Sequence, residues 1–188
     1  MNDLECQAAV DATRRWVSEV VIRLNLCPFA RRVFDAGLIR FAVTAATDRE
    51  ELLEALGAEL SALAAAPRTD VETILLIHPR ALLSFSDYND FIPEADRLIH
   101  TVGLRGVIQV AGFHPQYQFA GTSPDDVENY TNRSPHPMIH LLREESITEV
   151  AGDPAALAAI PQRNIETLRS LGREEMLARL RTVTVSAR

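Results

Sequence analysis

The residues best suited to carry chemistry are concentrated in one stretch, Gly112–His140. It contains three of the five histidines, two of the three tyrosines and four of the ten prolines. The stretch has neither a helical nor a strand period, and loops longer than about 12–15 residues inside a domain are usually functional or disordered. Its aromatic content argues against disorder. We therefore expect residues 113–137 to form a long ordered loop that builds a functional site.

His114 is the predicted general acid or base of this site, because an imidazole titrates near neutral pH. It follows a predicted strand in the order Phe113-His114-Pro115, just as His78 follows another in the order Ile77-His78-Pro79. In open parallel sheets, ligands bind at the carboxyl ends of the strands, where both histidines would lie. For His78 we favour the alternative that His-Pro only ends a strand, since proline cannot donate to the ladder.

The turn Asn132–Pro137 is a candidate anion site in front of a predicted helix that begins at Pro137. Arg133, with Asn132 and Ser134, would lie beside the free N–H groups and the positive dipole end of that helix. Such a site would hold a carboxylate or phosphate group. In the alternative, Asn132 and Ser134 bond only their own turn.

His136, His140 and Glu144 are spaced four residues apart and would share one face of the same helix. Two histidines and a carboxylate can ligate zinc or a non-haem iron, for metal-assisted hydrolysis or oxygenation. We favour no metal, because helical histidines more often have core or capping roles. If a metal binds, its expected ligands are His114, His140 and Glu144, with His136 a weaker candidate. The glycines form no nucleotide-binding motif.

Cys27 is a second candidate for catalysis. It follows the predicted first helix, residues 3–25, in the bend Leu26-Cys27-Pro28, and would act as a nucleophile if a histidine base lies near it. The alternative is a buried structural cysteine, because the dipole at a helix C-terminus raises the pKa of a thiol.

The elements that must position these residues alternate between strands and helices. This pattern predicts an α/β, or α+β layered, domain. At least three mainly parallel central strands, at about 39–44, 71–78 and 104–113, would be flanked by helices. The C-terminal helices, about 154–181, would cover the core as an appendage or contact a second subunit in a homo-oligomer.

Composition narrows the class of protein. A chain of 188 residues that is 47% hydrophobic fits a single globular domain, residues 1–188. The net charge is −7 and the basic residues are scattered, so we expect no nucleic-acid partner. No apolar run approaches the ~20 residues of a membrane span. Two cysteines and no signal-peptide pattern predict a reduced, cytoplasmic setting.

Three segments, Asn25–Ala30 (NLCPFA), Gly106–Thr122 and Asp125–Ile147, resemble a widespread bacterial family catalogued only as a domain of unknown function. The resemblance runs from the first helix to about Ile147 and brings no established reaction, substrate or cofactor. It implies that the following residues, which fall within matching motifs, belong to one shared site: Cys27, His114, Tyr117, Asn129, Asn132, Arg133, His140, Arg143 and Glu144. This chain has His136 where the family often has tyrosine, which weighs against a metal site that needs this residue.

The first hypothesis is a small-molecule enzyme with His114, Cys27 and Tyr117 in the catalytic set. An anionic substrate would be bound by the polar residues of the loop and beyond it: Asn129, Asn132, Arg133, Ser134 and Arg143. The second hypothesis is a ligand-binding or partner-binding module without catalysis. In a third interpretation the loop serves packing alone, with its histidines and asparagines satisfied by the backbone.

Overall fold

A four-stranded sheet between two layers of helices forms the fold. The structure, a computed structural model, describes residues 1–151 and 157–184. The strands are β1 (Ile39–Val43), β2 (Thr73–Ile77), β3 (Ile108–Phe113) and β4 (Met138–Arg143). The α-helices are α1 (Asp3–Trp16), α2 (Ala30–Asp35), α3 (Arg49–Ala65), α4 (Phe85–Thr101), α5 (Glu144–Ala151), α6 (Ile160–Leu171) and α7 (Arg173–Thr184). A π-helical turn (Val17–Ile22) continues α1, and a 3-10 helix (Val127–Thr131) lies within the long loop.

The sheet is mixed, with the strand order β1-β2-β4-β3. β1 and β2 pair in parallel, while β4 is antiparallel to both β2 and β3. The three predicted strands therefore run in the same direction and the α/β class is confirmed. The prediction of a mainly parallel sheet was wrong, because β4 lies between β2 and β3 and leaves one parallel pair among the described strands.

The prediction of a helix beginning at Pro137 was wrong for Met138–Arg143, which is a strand buried on both faces. A short, mainly apolar segment such as this one fits a buried strand as well as a helix, and pairing on both edges decides for the strand. His140 therefore lies in the middle of β4, and Glu144 begins α5. A strand rises about 3.3 Å per residue, which separates these two residues by roughly 13 Å along the chain. The shared helix face and the helix start at Pro137 are both absent from this described segment.

Alternating side chains of the sheet fill two cores. On one face, Leu75, Ile77 and Met138 pack against Trp16 of α1. The C-terminal helices contribute to the same core through their buried residues Leu168, Met176 and Val183. On the other face, the buried leucines of α3 and the apolar side of α4 cover Ile74, Leu76, Ile139 and Leu141. Residues 154–156 of the predicted C-terminal helical region lie outside the described residues.

One glycine fixes how closely α4 approaches the sheet. A Cβ atom added to Gly112 in β3 would lie 2.6 Å from the hydroxyl oxygen of Tyr88 in α4. That hydroxyl is buried and donates a hydrogen bond of 2.8 Å to the carbonyl oxygen of Met138, the first residue of β4. The absence of a side chain at Gly112 thus lets Tyr88 reach across β3 and hold the start of β4.

None of the described helices is both long enough and apolar enough to pass through a bilayer.

Candidate functional site

A cavity of about 320 Å³ lies on one face of the sheet, between the strands and the helices that cover them. Its floor comes from β2, β3 and β4, including Leu75, Phe113 and His140. Trp16 and the π-helical turn cover it, and the bend at Cys27 with α2 closes one side. Almost all of the accessible lining is apolar. Cavities of about 300–1,000 Å³ with such linings are typical of small-molecule sites.

Two local features leave this space unfilled. Ala111 in β3 is directly opposite His140 in β4, so a small side chain occupies the middle of the floor. Above it, Val17 and Val21 belong to the π-helical turn rather than to a regular α-helix. Such turns inside helices are rare and occur frequently at functional sites.

His140 is neutral, and its tautomer follows from its neighbours. The hydroxyl of Thr73 donates its single proton to the carbonyl oxygen of Leu141 at 2.6 Å. At 2.7 Å from the same hydroxyl oxygen, Nε2 of His140 must therefore be the donor. Burial lowers the pKa of His140 to about 4, so the ring carries one proton at pH 7.

The other ring nitrogen of His140, Nδ1, then carries a free lone pair. Among the described residues none donates a hydrogen bond to it. Nδ1 is also not fully buried. Because His140 lines the cavity, Nδ1 is an acceptor that remains within reach of accessible space.

The charged side chains that line the cavity bind other charged groups or backbone carbonyls of the protein. The carboxylate of Glu72 is buried and contacts Arg32 at 3.3 Å and Arg68 at 3.2 Å. Burial acts to raise the pKa of Glu72, but the hydrogen bonds and positive charges of its neighbours outweigh it and lower the pKa. Arg143 donates through Nη2 to the carbonyl oxygens of Leu63 and Ala66, each at 2.7 Å, at the C-terminal end of α3.

Cys27 is a free, half-buried thiol on the wall of the cavity. Burial raises the pKa of this thiol, and two backbone hydrogen bonds oppose the shift only in part. The thiol is consequently protonated at neutral pH, and the thiolate, which is the reactive form, is rare.

His114, the predicted acid or base, is fully buried and uses both ring nitrogens. Nδ1 accepts from the backbone N–H of Gln116 at 3.0 Å, and Nε2 donates to the carbonyl oxygen of Leu82 at 3.2 Å. Burial lowers the pKa of His114. His78 is also buried and contacts the carbonyl oxygen of Ala81 through Nδ1 at 3.0 Å. Both histidines thus hold the segment that follows β2.

The buried side chain of Asn129 forms hydrogen bonds with other residues of the long loop. Its Oδ1 accepts hydrogen bonds from the N–H of Phe119 at 3.0 Å and from the hydroxyl of Thr122 at 2.9 Å, and its Nδ2 donates to the carbonyl oxygen of Ser123 at 2.8 Å. The side chain is fully buried. Asn129 therefore fixes the turn that encloses it.

Asn132, Ser134 and Arg133 bond the loop in the same way. Asn132 donates to the carbonyl oxygen of Gly112 at 3.0 Å, and Ser134 donates to that of His136 at 2.7 Å. The guanidinium of Arg133 donates to two loop carbonyls, at 3.2 and 2.6 Å, and lies 4.5 Å above the ring centre of Tyr130. These contacts favour a structural role for the three side chains.

Tyr117 packs into an aromatic cluster, with its ring centre 5.1 Å from that of Phe85 and 4.9 Å from that of Phe119. Burial raises the pKa of its hydroxyl, and a hydrogen bond with Asn132 opposes the shift. Its hydroxyl is therefore neutral at pH 7, and its ring forms part of the packing of the loop.

The structure brings three of the predicted site residues, Cys27, His140 and Arg143, to the cavity. Glu144 lies at the start of α5, and the others lie in the long loop. His136 lies away from the cavity, next to α1 in a shallower depression. Within residues 1–151 and 157–184, no three histidine, cysteine, aspartate or glutamate side chains are grouped as metal ligands. The sequence-based prediction missed the cavity itself, because its floor, cover and wall come from segments far apart in the chain.

Comparison with known proteins gives a family but no close relative. No curated protein and no solved structure matches the chain. A family model described as "Protein of unknown function (DUF1415)" matches residues 8–178, which is most of the sequence. The chain therefore belongs to the DUF1415 family.

Proposed function

We propose that the protein binds a small, mainly apolar molecule in the cavity on the sheet face. The observation that carries this proposal is the cavity itself, a space of about 320 Å³ with an almost wholly apolar lining. Protein cores are normally packed without such voids. A cavity of roughly 150 Å³ holds one benzene ring, so this space accommodates one or two rings.

Binding is better supported than acid–base catalysis on an anionic substrate. His114 has both ring nitrogens occupied, and the guanidinium of Arg133 bonds loop carbonyls and covers a tyrosine ring. Neither side chain lines the cavity. These contacts therefore do not support an enzyme for a carboxylate or phosphate substrate. The cavity supports the hypothesis of a ligand-binding module.

The test is a titration with p-xylene, followed by fluorescence excited at 295 nm. Trp16 is the only tryptophan of the chain and lines the cavity, so it reports occupancy directly. We expect saturable binding to the wild-type protein and a loss of at least about ten-fold in affinity for Ala111→Leu, which fills the floor. Ala58→Leu, the same change at an exposed position of α3, is the matched control. Absence of saturable binding to wild type, or equal affinity in both variants, would refute the proposal.

A second candidate function, an enzyme with Cys27 as nucleophile, is favoured by one observation: the thiol and His140 line the same cavity. Activation by the imidazole would make alkylation by iodoacetamide fast at pH 6–7 and dependent on His140. A plain binding cavity predicts instead that the rate rises only at a pH above the usual thiol pKa of about 8.5. The profile of wild type and His140→Leu distinguishes the two functions.

A further inference from the structure

Among the few polar groups that line the proposed cavity, Nδ1 of His140 is an acceptor without a partner in the described part of the chain. Its position is fixed by a short chain of hydrogen bonds, from Nε2 of His140 to the Thr73 hydroxyl and from that hydroxyl to the carbonyl oxygen of Leu141. The donors and acceptors in this series of hydrogen bonds are fixed, because the carbonyl oxygen can only accept. The imidazole is therefore held with Nδ1 unprotonated.

We propose that the ligand is a neutral aromatic molecule with one N–H or O–H donor, which pairs with Nδ1 of His140. This inference rests on the proposed function and adds the ligand's chemical class. A donor on the ligand would pair with this open acceptor, while the rest of the molecule contacts apolar surface. A purely apolar ligand would leave the lone pair of Nδ1 without a partner, which costs free energy in a dry site.

Two further observations support an aromatic ring. Trp16 and Phe113, both in the lining, already form an edge-to-face pair with ring centres 5.0 Å apart. The ring of Phe113 is in turn 5.8 Å from that of His140. An additional ring placed among these three can adopt the same edge-to-face and offset arrangements, which aromatic groups prefer.

Charge complementarity favours a neutral ligand. Glu72 is shared by Arg32 and Arg68, and Nη2 of Arg143 donates to backbone carbonyls, so these groups already have partners. Nε of Arg143 has no partner, but it is fully buried and has no surface open to a ligand. A carboxylate would also meet the lone pair of Nδ1, which repels it. Transfer of an unpaired ion into such an apolar space is costly.

The experiment compares p-cresol with p-xylene, since the two differ only by a hydroxyl in place of a methyl group of similar size. Both are titrated into wild type and His140→Leu, with Trp16 fluorescence as readout. We expect His140→Leu to weaken p-cresol binding by about ten-fold while p-xylene binding changes by less than about two-fold. The selective loss of p-cresol is the signature of the hydrogen bond.

Three more measurements test the proposal if His140→Leu fails to fold. Thr73→Val retains the imidazole but removes the acceptor that fixes its tautomer, and should also weaken p-cresol selectively. In wild type labelled with 15N on histidine, p-cresol should shift the Nδ1 resonance of His140 and p-xylene should not. p-Toluate, the carboxylate analogue, should bind more weakly than p-cresol.

Each outcome has a separate meaning. If p-xylene and p-cresol both bind but respond equally to His140→Leu, and Nδ1 does not shift, the donor inference is wrong and the binding cavity stands. If p-toluate binds most tightly, the ligand is an anion and the inference is also wrong. If none of the three binds to wild type, the proposed function itself fails.

Discussion

Gly112→Ala tests whether the approach of α4 to the sheet is as close as the structure has it. The added Cβ would lie 2.6 Å from the hydroxyl oxygen of Tyr88 and 3.2 and 3.3 Å from two of its ring carbons. Tyr88 is buried, and its hydroxyl bonds the carbonyl oxygen of Met138. Since the ring cannot turn away within the core, the substitution must push Tyr88 off that carbonyl or separate α4 from β3.

The expected magnitude follows from these two effects. Overpacking a filled core costs about 1–3 kcal/mol, and a buried hydrogen bond that is broken without replacement costs about 1–3 kcal/mol more. Gly112→Ala should therefore lower the free energy of unfolding by about 2–6 kcal/mol. In a Tyr88→Phe background the shortest contact and the hydrogen bond are both gone. The same substitution should then cost only about 1 kcal/mol, for the tight ring carbons that remain.

Urea unfolding of the four proteins, wild type, the two single variants and the double variant, measures this coupling. We expect a coupling free energy of about 1–5 kcal/mol, well beyond the ~0.5 kcal/mol that independent sites show. Gly57→Ala is the matched control, because its Cβ would meet only a side-chain atom of Leu98 at 3.9 Å. In the interior of α3 this change should stabilise by about 0.5–1 kcal/mol. Additive effects of Gly112→Ala and Tyr88→Phe would refute the reasoning.

Acid should weaken the fold, because burial lowers the pKa of His78 and His140 to about 4. Below pH 6.5 the unfolded chain binds protons first, so the free energy of unfolding falls by up to about 3 kcal/mol per histidine towards pH 4. Urea titrations at pH 7 and 4.5 measure how much the free energy of unfolding falls between these two pH values. This loss should be smaller for His140→Leu than for wild type by the contribution of one histidine, and an equal loss in both proteins would contradict the reasoning. Asn129→Ala should lower the free energy of unfolding by about 2–3 kcal/mol and speed hydrogen exchange of the Phe119 amide. Unchanged protection of this amide from exchange would contradict the role of Asn129 in fixing the loop. Arg143→Met should lower the free energy of unfolding, measured with urea, by about 2–4 kcal/mol, because carbonyls at the C-terminal end of α3 lose their partner. An unchanged free energy of unfolding would refute this role of Arg143 at the end of α3.

The sequence predicts the first three strands and the α/β class because their signals are local. Ile74–Ile77 is a continuous apolar run, and each of these three strands is separated from the next by a helical pattern. The end of the first helix before Pro28 is also confirmed, since α1 and its π-helical turn finish at Ile22 and Asn25 adopts a positive φ of 53°. In these places the chain determines its own conformation over a few residues.

β4 could not be predicted in the same way. Its six residues, Met138–Arg143, have a composition that a buried helix or strand would share, and the deciding hydrogen bonds come from β2 and β3, which are distant in sequence. From that one error followed the predicted helix start at Pro137 and the shared face of His136 and His140. Pairing partners, rather than the segment's own pattern, fixed its conformation.

The candidate site shows a similar division. Cys27, His140 and Arg143 were predicted as site residues and lie at the cavity. The polar residues of the loop were predicted from the same chemistry, yet Asn129 and Arg133 bond backbone groups of the loop itself. Amide and guanidinium groups serve a ligand and a backbone carbonyl equally well. Their residue types therefore could not separate a binding role from a structural one.

The placement of β4 also orders the assembly of the sheet during synthesis. Among the described strands, β3 has β4 as its one hydrogen-bonded neighbour. A nascent chain that ends before Met138 can form the β1–β2 pair, but it has no strand to join β3 to that pair. The sheet, and with it the floor of the cavity, closes only when residues 138–143 have been synthesised and pair with both β2 and β3. Because this step joins segments far apart in sequence, it is expected to be slow relative to helix formation.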